Sequence, residues 1–523
     1  MKYKALKKVG VLAIALAAFT ACSDEEDVVI IATSGDIEIT DTNTTGTAEG
    51  DVGNTGADED DLLENASFES TVQIVFSNTS ATIINPVPND VVITQDGADV
   101  TVNSTISKVA YEVSGTTTDG MLKIYSDKKF KLSLSDLSIT NNDGPAINVQ
   151  SSKTVFVVLD GVNNLTDASS YSNIPDDEDA KATFFSEGQL VFSGSGALTV
   201  AGKFKHGITS DDYIRVISGT ITVTEAASDA IHANDYIIVD GGSLNLTAAS
   251  DGIDCAEGYV IINDGTFVIN AIDDGIAASY DIDEEDEPDD SITPNVTING
   301  GDFVINTTEG EGMESKGIMT INGGTININA YDDGLNAIGS LYINGGNTYV
   351  YSTLNDAIDS NTGITITGGI TIAIAVRTDE PDGSFDTDDN LFKITGGTIL
   401  GLGLNSSFPT VSESTQNTVI FGGISSNTLM NIQSEDGTEA LTFEVPNRVN
   451  TIIYSNAKLV TGTSYAIYTG GTVSGGTEVN GLYTAGTYNG GTDSGVSFTI
   501  NSTVNQIGGE LGPTGEPGEG GRR

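Results

Sequence analysis

The chain of 523 residues contains no tryptophan, only two cysteines and two histidines, and just 21 basic residues against 74 acidic ones. Two cysteines cannot build a disulfide framework. The formal net charge of −53 excludes nucleic acid as a partner, because no basic stripe is available to neutralise phosphates. Two histidines also disfavour a Ser-His-Asp triad. The informative residues are therefore the acids and the 62 glycines.

A short repeat with an acidic residue at its start organises most of the chain. It reads Asp-Gly-Ile-Asp-Cys from Asp251 and Asp-Gly-Ile-Ala-Ala from Asp274, and it recurs about every 22 or 23 residues. A strand-like run and a Gly-Gly or Asp-Gly turn follow each copy. A period this short indicates one supersecondary unit stacked on itself. The six clearest copies begin at Asp229, Asp251, Asp274, Glu311, Asp333 and Asp356.

The composition of each repeat predicts an all-β fold. β-Branched residues dominate and glycine recurs in every unit, which disfavours helices. No unit can bury its apolar face alone, so each must pair in parallel with the next coil, ~4.8 Å away. We therefore predict a parallel β-helix of about ten 22–23-residue coils, wound right-handed like most parallel crossovers. The apolar rungs extend upstream to Ile208, Phe184 and Ile147, and downstream to Phe385.

The same patterns divide the chain into segments. The repeat fades after about residue 405, where short strands and tyrosines predict a separate β-rich module or cap. Gly, Pro and Glu near the end predict disorder. The predicted segments are 1–21, a lipoprotein signal peptide; 22–65, an acidic flexible tether; 66–404, the β-helix; 405–507, the C-terminal β module; and 508–523, a disordered tail.

The N-terminal segment predicts the location of the protein. Lysines precede an apolar run from Val9 to Phe19, and Phe-Thr-Ala-Cys ends at Cys22, which is similar to a bacterial lipoprotein signal with Cys22 as the lipidated residue. The run is too short to span a bilayer. The following Ser-Asp-Glu-Glu-Asp resembles the acidic signal of Bacteroidetes lipoproteins, although a solvated linker is the alternative. We expect a cell-surface-exposed outer-membrane lipoprotein that meets the membrane through its lipid only.

Stacking should pile the acidic side chains on one another. The apolar residue of each copy points inward, so the next residue and the residue two places earlier form two acidic rows. Two bare charges ~5 Å apart repel by about 3 kcal/mol at an effective dielectric near 20. Raised pKa values, screening by salt or bound cations would each relieve this repulsion.

Calcium fits the expected spacing of these acids. Carboxylate oxygens ~2.4 Å from an ion on either side lie ~4.8 Å apart, close to the coil spacing. A solvated turn in which Asp favours the backbone conformation is the alternative. Paired acids in one copy, such as Asp251 with Asp254, favour the ion. The predicted ligands are Asp229, Asp251, Asp254, Asp273, Asp274, Glu311, Glu314, Asp332, Asp333, Asp356 and Asp359.

These motifs, with Leu-Ser-Leu-Ser-Asp-Leu-Ser-Ile-Thr from Leu132 and Gly-Ser-Gly-Ala-Leu-Thr-Val from Gly194, mark a resemblance over roughly residues 90–400. The chain resembles the calcium-binding, pectate-lyase-like β-helix family of carbohydrate-binding domain-containing proteins. The resemblance implies a right-handed β-helix that binds plant cell-wall polysaccharide with calcium and is not known to cleave it. One departure is His206, which stands where the family usually carries Asp and weakens a metal site there.

The expected function is calcium-dependent, non-catalytic binding of an acidic, pectin-like plant or matrix polysaccharide, with other glycan-uptake proteins as further expected partners. Calcium with open positions can bridge two polyanions, and the absence of tryptophan disfavours stacking on neutral glycans. A calcium-dependent polysaccharide lyase is the first alternative, and Lys316 is its weak candidate for the base. A structural adhesin is the second, and a glycosidase carboxylate pair also stays open.

Two further features complete the sequence-based predictions. Cys255 occupies a small inward-facing position and is predicted to be a core thiol. Acidic loops at 281–290 and 379–383 interrupt the repeat on the edge that carries the acidic rows. They are interpreted either as part of the binding side or as passenger loops that the fold tolerates.

Overall fold

The structure is a computed structural model and describes residues 34–39, 46–172, 174–175, 178–280, 293–376, 382–425, 427–446 and 451–509. The prediction of an all-β fold is confirmed, since the helical elements in these ranges are the two 3-10 turns Glu59–Asp61 and Leu63–Asn65. No helix in these ranges has the length and apolar character needed to cross a membrane. Cys22, the loop 281–290, residues 379–381 and most of the tail lie outside the described residues.

Three stacks of parallel strands, here called the first, second and third columns, run the length of the repeat region. Each coil contributes one short strand to each column. The first column carries the acidic motif, and antiparallel Val91–Asp96 covers its N-terminal end. Its parallel strands are Asp99–Ser104, Met121–Ser126, Ile147–Gln150, Ala182–Ser186, His206–Ser210, Ile231–Ala233, Ile253–Cys255, Ile276–Ala278, Met313–Ser315, Leu335–Ala337 and Ile358–Ser360.

The second and third columns follow the first in every coil. Strands of the second column are Val155–Asp160, Leu190–Gly194, Tyr213–Val216, Tyr236–Val239, Tyr259–Ile262, Val296–Ile298, Met319–Ile321, Leu341–Ile343, Gly363–Ile366 and Leu391–Ile394. Strands of the third are Val162–Thr166, Ala197–Gly202, Thr220–Ala226, Ser243–Ala248, Thr266–Ala271, Asp302–Thr307, Thr325–Ala330, Asn347–Ser352, Ile370–Ala375 and Thr398–Gly403. This arrangement is β-helix-like.

At the N-terminal end the two later columns merge into longer strands. Phe130–Thr140 pairs with the first strands of both columns, and Val109–Thr117 and then Ser70–Asn78 continue the stack in parallel. Ser80–Ile84 returns antiparallel to Ser70–Asn78 as a hairpin. A hairpin at this position ends the parallel stack.

The register of the first column confirms the predicted apolar rungs. Ile147 pairs with Phe184, Phe184 with Ile208, and Ile208 with Ile231. Each of these side chains is buried in the continuous core between the columns. Cys255 is also fully buried, as predicted. Alternation along each short strand therefore places the apolar residue inside and its neighbour on the outer face.

Glycine sets the corner between the second and third columns. Gly346 has a φ of +76°, and a Cβ atom built there would lie 2.5 Å from the Gly324 carbonyl oxygen of the preceding coil. A left-handed backbone and a close coil both require glycine at this corner. This is the physical reason for the repeated Gly-Gly pair in the sequence.

Beyond Gly403 the pairing becomes antiparallel. Thr451–Ser455 pairs antiparallel with both Thr398–Gly403 and Thr418–Phe421, and Val504–Gln506 adds to the latter in parallel. A second, antiparallel sheet packs against the end of the third column through an apolar cluster that also contains Ile372 and Leu400. Its strands are Gly35–Glu38, Leu482–Asn489, Glu439–Val445, Thr428–Ser434, Ser464–Thr469, Thr492–Thr499 and Thr472–Val479. The region is β-rich, as expected, and the sheet includes a strand from the N-terminal segment.

Residues 46–66, here called the strap, differ from the predicted flexible tether. They run along the second column, from later coils towards earlier ones. Lys393 binds Glu49 at 2.6 Å near one end, and Arg215 binds Asp61 at 3.3 Å near the other. Asp61 is buried. The strap is therefore an ordered part of the fold.

An asparagine ladder holds the strap between these two ion pairs. Three ladder amides each donate one N–H to the asparagine of the preceding coil, such as Asn322 to Asn299 at 2.9 Å, and the first ladder residue, Asn263, donates to Asp240 instead. Each amide donates its other N–H to a strap carbonyl, such as Asn322 to Asp51 at 3.0 Å. The ladder residues are Asn263, Asn299, Asn322 and Asn344.

Candidate functional site

The first column brings the predicted carboxylates into two stacked rows. The inner row contains the residues two places before each apolar rung residue: Asp229, Asp251, Asp274, Glu311, Asp333 and Asp356. The outer row contains the residues directly after it: His232, Asp254, Ala277, Glu314, Asn336 and Asp359. The strand register aligns each outer-row residue with its counterpart in the next coil, as the sequence predicts.

Backbone hydrogen bonds fix the inner row. The Asp274 N–H donates to Asp251 Oδ1 at 2.8 Å, and the Asp356 N–H donates to Asp333 Oδ1 at 2.9 Å. The Glu311 N–H donates to Asp274 Oδ1 at 2.8 Å in the same way. Each of these three carboxylates thus accepts a hydrogen bond from the next coil with one oxygen. The geometry of the coil then determines where the second oxygen lies.

The rows are much less exposed than an acidic surface turn would be. Burial, followed by repulsion from neighbouring carboxylates, raises the pKa of Asp251 to about 8. The same two causes raise the pKa of Asp359 to about 7 and raise the pKa of Asp333 well above its usual range. A large part of the column therefore holds protons near neutral pH unless a cation takes their place.

The N-terminal end of the rows contains histidine. The rings of His206 and His232 stack with their centroids 4.4 Å apart. Asp229 Oδ2 lies 2.9 Å from His206 Nδ1 and 3.3 Å from His232 Nδ1, and Asp254 Oδ2 lies 2.7 Å from His232 Nδ1. Two imidazoles and two carboxylates therefore form one contiguous cluster.

The charges in this cluster compensate one another. Burial opposes ionisation of both His232 and Asp229. Hydrogen bonds with Asp229 and Asp254 nevertheless raise the pKa of His232 to about 9. The close imidazoles of His206 and His232 hold the pKa of Asp229 well below its usual range despite its burial. Burial lowers the pKa of His206. In the absence of an ion, the two imidazoles therefore offset the charge of these carboxylates.

Three groups in the first column have ligand atoms within 4.8 Å of one another. They are His206 with Asp229 and His232; Asp229 with Asp251 and Asp254; and Asp251 with Asp273 and Asp274. Calcium takes oxygen ligands, so the group with two imidazoles does not fit it. Within the described ranges, the last group is all-oxygen and has no ion pair with Lys, Arg or His. Its donor set fits calcium best.

The other predicted ligands lie in or beside the same rows. They are Glu311, Glu314, Asp332, Asp333, Asp356 and Asp359. Among the residues that the structure describes, these acids do not form a group of three with all ligand atoms within 4.8 Å of one another. Asp386, which was not predicted, pairs with Asp359 across the next coil and contributes to its raised pKa. Phe385 was expected to be a rung residue, so the same outward rule could have found Asp386.

Lys316, the weak catalytic candidate, contacts Glu314 of its own rung. Burial raises the pKa of Glu314, and the contact with Lys316 opposes that rise. The contact corresponds to the charge-neutralising role that was the alternative to catalysis. Lys316 lies beside the outer row and not against the Asp251, Asp273 and Asp274 group.

A groove of about 590 Å³ lies away from the acidic rows, between the third column and the C-terminal sheet. Asn327, Tyr349 and Ile372 line one side, and Asn480 and Leu482 line the other. Asn480 donates to Asn327 Oδ1 at 2.9 Å across the groove. An aromatic ring with amides beside it is a second surface on which a sugar could pack.

A family profile and a curated relative share one description. The profile of a family described as "Carbohydrate-binding domain-containing protein" matches residues 89–357. A relative from Acetivibrio thermocellus with the same description is 37% identical over 108 residues, which are 20% of this chain and 38% of that protein. The match thus spans well under half of the relative. A solved structure, "polysaccharide lyase-like protein from C. thermocellum, Gadolinium derivative", is 27% identical with a TM-score of 0.42, covering 48% of this chain and 96% of that one.

Proposed function

Because this chain belongs to the family of carbohydrate-binding domain-containing proteins, we propose that it binds an acidic polysaccharide in a calcium-dependent manner without cleaving it. One observation carries the calcium part: Asp251, Asp273 and Asp274 form a compact, all-oxygen group that has no cationic partner among the described residues. Further along the rows, Asp333, Asp356 and the other predicted acids extend the same surface.

The three carboxylates of this group differ in how they are held and in how exposed they are. Asp251 and Asp274 are fixed by the coil through backbone hydrogen bonds to their Oδ1 atoms. Asp273 is exposed, so it leaves one side of the group open to solvent. Bound calcium would supply open coordination positions at which a uronate carboxylate can be held against this acidic face. Pectin-like galacturonan has the matching charge.

A lyase is the alternative that keeps the same surface. It would require a base beside the ion, and Lys316 is paired with Glu314 instead of facing the Asp251 group. We therefore favour binding over cleavage. An ultraviolet assay for the unsaturated product of polygalacturonate cleavage separates the two, because a product that disappears in Lys316→Ala would establish the lyase. A structural adhesin would bind neither calcium nor glycan through these rows.

The remaining proposals concern location and winding. We propose that Cys22 is lipidated, that the protein faces the cell exterior from the outer membrane, and that glycan-uptake proteins are its neighbours. The coils are proposed to number about ten and to wind right-handed, as parallel crossovers do. Metabolic labelling with a fatty acid tests the anchor: a Cys22→Ala variant that keeps the label would contradict it.

Calorimetry on the full chain tests the proposed function. Calcium should bind the wild type, and polygalacturonate should bind only when calcium is present. The double variant Asp273→Asn/Asp274→Asn should lose calcium binding at this group and weaken glycan binding by at least about tenfold, as removal of metal ligands does. Asp302→Asn, an exposed acid on the third column, is the matched control.

Two results would contradict the proposal. Glycan binding that persists in a chelator would remove calcium from it. Loss of glycan binding in Tyr349→Ala but not in the double variant would move the glycan to the groove beside the C-terminal sheet.

A further inference from the structure

We propose that His206, Asp229 and His232 form a site for a transition-metal ion of the Zn²⁺ class, in addition to the calcium group. This site goes beyond the proposed function, because it uses a different donor chemistry and a different ion. It lies at the N-terminal end of the acidic rows, in the coils that contain His206–Ser210, Ile231–Ala233 and Ile253–Cys255.

The distances between the donor atoms suit one small ion. His206 Nδ1 and Asp229 Oδ2 are 2.9 Å apart, and Asp229 Oδ2 and His232 Nδ1 are 3.3 Å apart. His232 Nδ1 and Asp254 Oδ2 are 2.7 Å apart. Donors bound tetrahedrally to zinc at 2.0–2.2 Å lie about 3.3 Å from one another. The ligand atoms of His206, Asp229 and His232 all lie within 4.8 Å of one another, so these three side chains already stand near the separations that such an ion requires.

The state of His206 is the second, independent observation. Its side chain is 2% exposed, and neither ring nitrogen completes a hydrogen bond. Nδ1 approaches the Asp229 carboxylate closely, yet without the geometry of a hydrogen bond. A buried polar group without a partner is costly and requires an explanation. Two atoms that approach without pointing at each other are typical of ligands directed at a common ion.

The donor types select the class of ion. Two imidazole nitrogens and one carboxylate oxygen, with the fourth position left to water, are ligands that zinc accepts, whereas calcium prefers oxygen alone. The coils also hold the ligands in place: the Gly207 N–H donates to the Asp229 carbonyl at 3.0 Å, and the Ala230 N–H donates to the Asp251 carbonyl at 2.9 Å. A site fixed by neighbouring strands is pre-organised for binding.

A purely internal arrangement is the competing explanation. A protonated His232 between Asp229 and Asp254 would neutralise the end of the rows with no ion at all. The two explanations differ in one measurable respect, since only the metal site takes up zinc or cobalt in the presence of excess calcium.

The experiment uses the full chain without a polyhistidine tag, in excess calcium. Co²⁺ is titrated while the visible absorption of the ion is followed, and Zn²⁺ is titrated by calorimetry. We expect one equivalent of each ion and a visible band typical of tetrahedral cobalt. His206→Asn and His232→Asn should each weaken zinc binding by more than about 100-fold, the upper range for loss of a merely supporting residue.

Two controls make the outcome unambiguous. Asp273→Asn should weaken calcium binding and leave zinc binding unchanged, so failure of the calcium proposal and of this one are distinguishable. His206→Asp, which leaves His232 as the one imidazole of the group, should weaken zinc binding. The proposal is overturned if the wild type takes up neither ion in excess calcium, or if correctly folded His206→Asn and His232→Asn, checked by circular dichroism, bind zinc like the wild type.

Discussion

The Asp251 carboxylate accepts the Asp274 N–H at 2.8 Å and lies between the carboxylates of neighbouring coils. Its position is therefore set by the fold and cannot relax away from like charge. Burial and that repulsion together raise its pKa to about 8. A carboxyl group that would be ionised in solvent at neutral pH therefore holds its proton until the pH approaches 8.

This property predicts how stability depends on pH. Without divalent ions, the free energy of unfolding should fall as the pH rises from about 4 to about 9. The folded pKa of Asp251, about 8, lies above its ordinary value of 3.8, so folding is favoured below the ordinary value and the benefit is lost as the pH passes the folded one. His232, with a pKa raised to about 9 from 6.5, acts in the same direction.

Urea unfolding at several pH values, with a chelator or with calcium, measures this slope. Calcium should flatten it, because an ion replaces the protons that the carboxylates would otherwise bind. Asp251→Asn should flatten it without calcium. A free energy of unfolding that rises with pH across this window in the chelated protein would contradict the assignment of raised pKa values.

At the scale of one element, the asparagine ladder and the strap depend on each other. Asn322 donates to Asn299 and to the Asp51 carbonyl, so one side chain links successive coils and a distant segment. The strap contains little apolar surface, and its backbone is held mainly by these amides and by ion pairs. Polar pairing therefore replaces a hydrophobic core along this face.

Replacing a ladder residue should cost more than replacing an exposed asparagine. Asn322→Ala should lower the free energy of unfolding by about 1–3 kcal/mol, because it leaves partly buried acceptors unpaired. Asn306, whose amide donates to Asn270 on the exposed face of the third column, is the matched control, and Asn306→Ala should change stability by less than about 0.5 kcal/mol. Equal losses in thermal or urea unfolding would show that the strap contacts contribute nothing.

The sequence predicted the elements that repeat and missed the contacts between segments far apart. A periodic Ile or Leu is enough to predict a rung, because burial of that residue depends on its nearest coils. The strap has the composition of a tether, and its ordering depends on partners more than 200 residues away, such as Asn263 for Thr55. The repeated Asn before Gly-Gly at Asn299, Asn322 and Asn344 was a signal for the ladder, but periodicity alone does not show what the free amide binds.

The candidate site divides in the same way. The repeat period predicts that Asp251 and Asp274 stack. Their hydrogen bonds with backbone N–H groups are then set by the geometry of the next coil. The pairing of His206 with His232 depends on two exceptional residues that interrupt the repeat, so no periodic rule describes their geometry. The repeat therefore predicts the acidic rows, whereas the arrangement of His206 and His232 is visible only in the structure.

In the whole molecule, the strap connects coils that are otherwise related only through their neighbours. It spans from Lys393 to Arg215, so it joins the late part of the column to the middle. Repeat folds open in sections because each unit contacts only the adjacent units. A segment that bridges many coils should make that opening more cooperative.

Deletion of residues 46–66 should therefore lower the melting temperature and broaden the transition. Arg215 would lose the buried Asp61 carboxylate, although Asp240 would still bind it at 2.7 Å. Asp61→Asn should reproduce only part of the loss. Calcium affinity should not change, because the strap covers the second column and the acids lie in the first. Scanning calorimetry measures both the width and the midpoint of the thermal unfolding transition. An unchanged transition would show that the strap is not part of the cooperative unit.

With a net charge of −53, any calcium that the folded protein binds would affect the stability of the whole molecule. If calcium binds the folded rows and not the unfolded chain, each independent site adds ~2.7 kcal/mol at a calcium concentration 100 times the Kd. Chelation should then lower the melting temperature markedly. Monovalent salt should recover only part of that loss, because screening weakens repulsion between the exposed acids but reaches buried carboxylates such as Asp333 much less. Thermal unfolding followed by circular dichroism, in calcium, in chelator and in chelator with sodium chloride, distinguishes the cases. Full recovery by sodium chloride would mean that general screening and not a bound ion relieves the acids, and no effect of the chelator would mean that protons alone suffice.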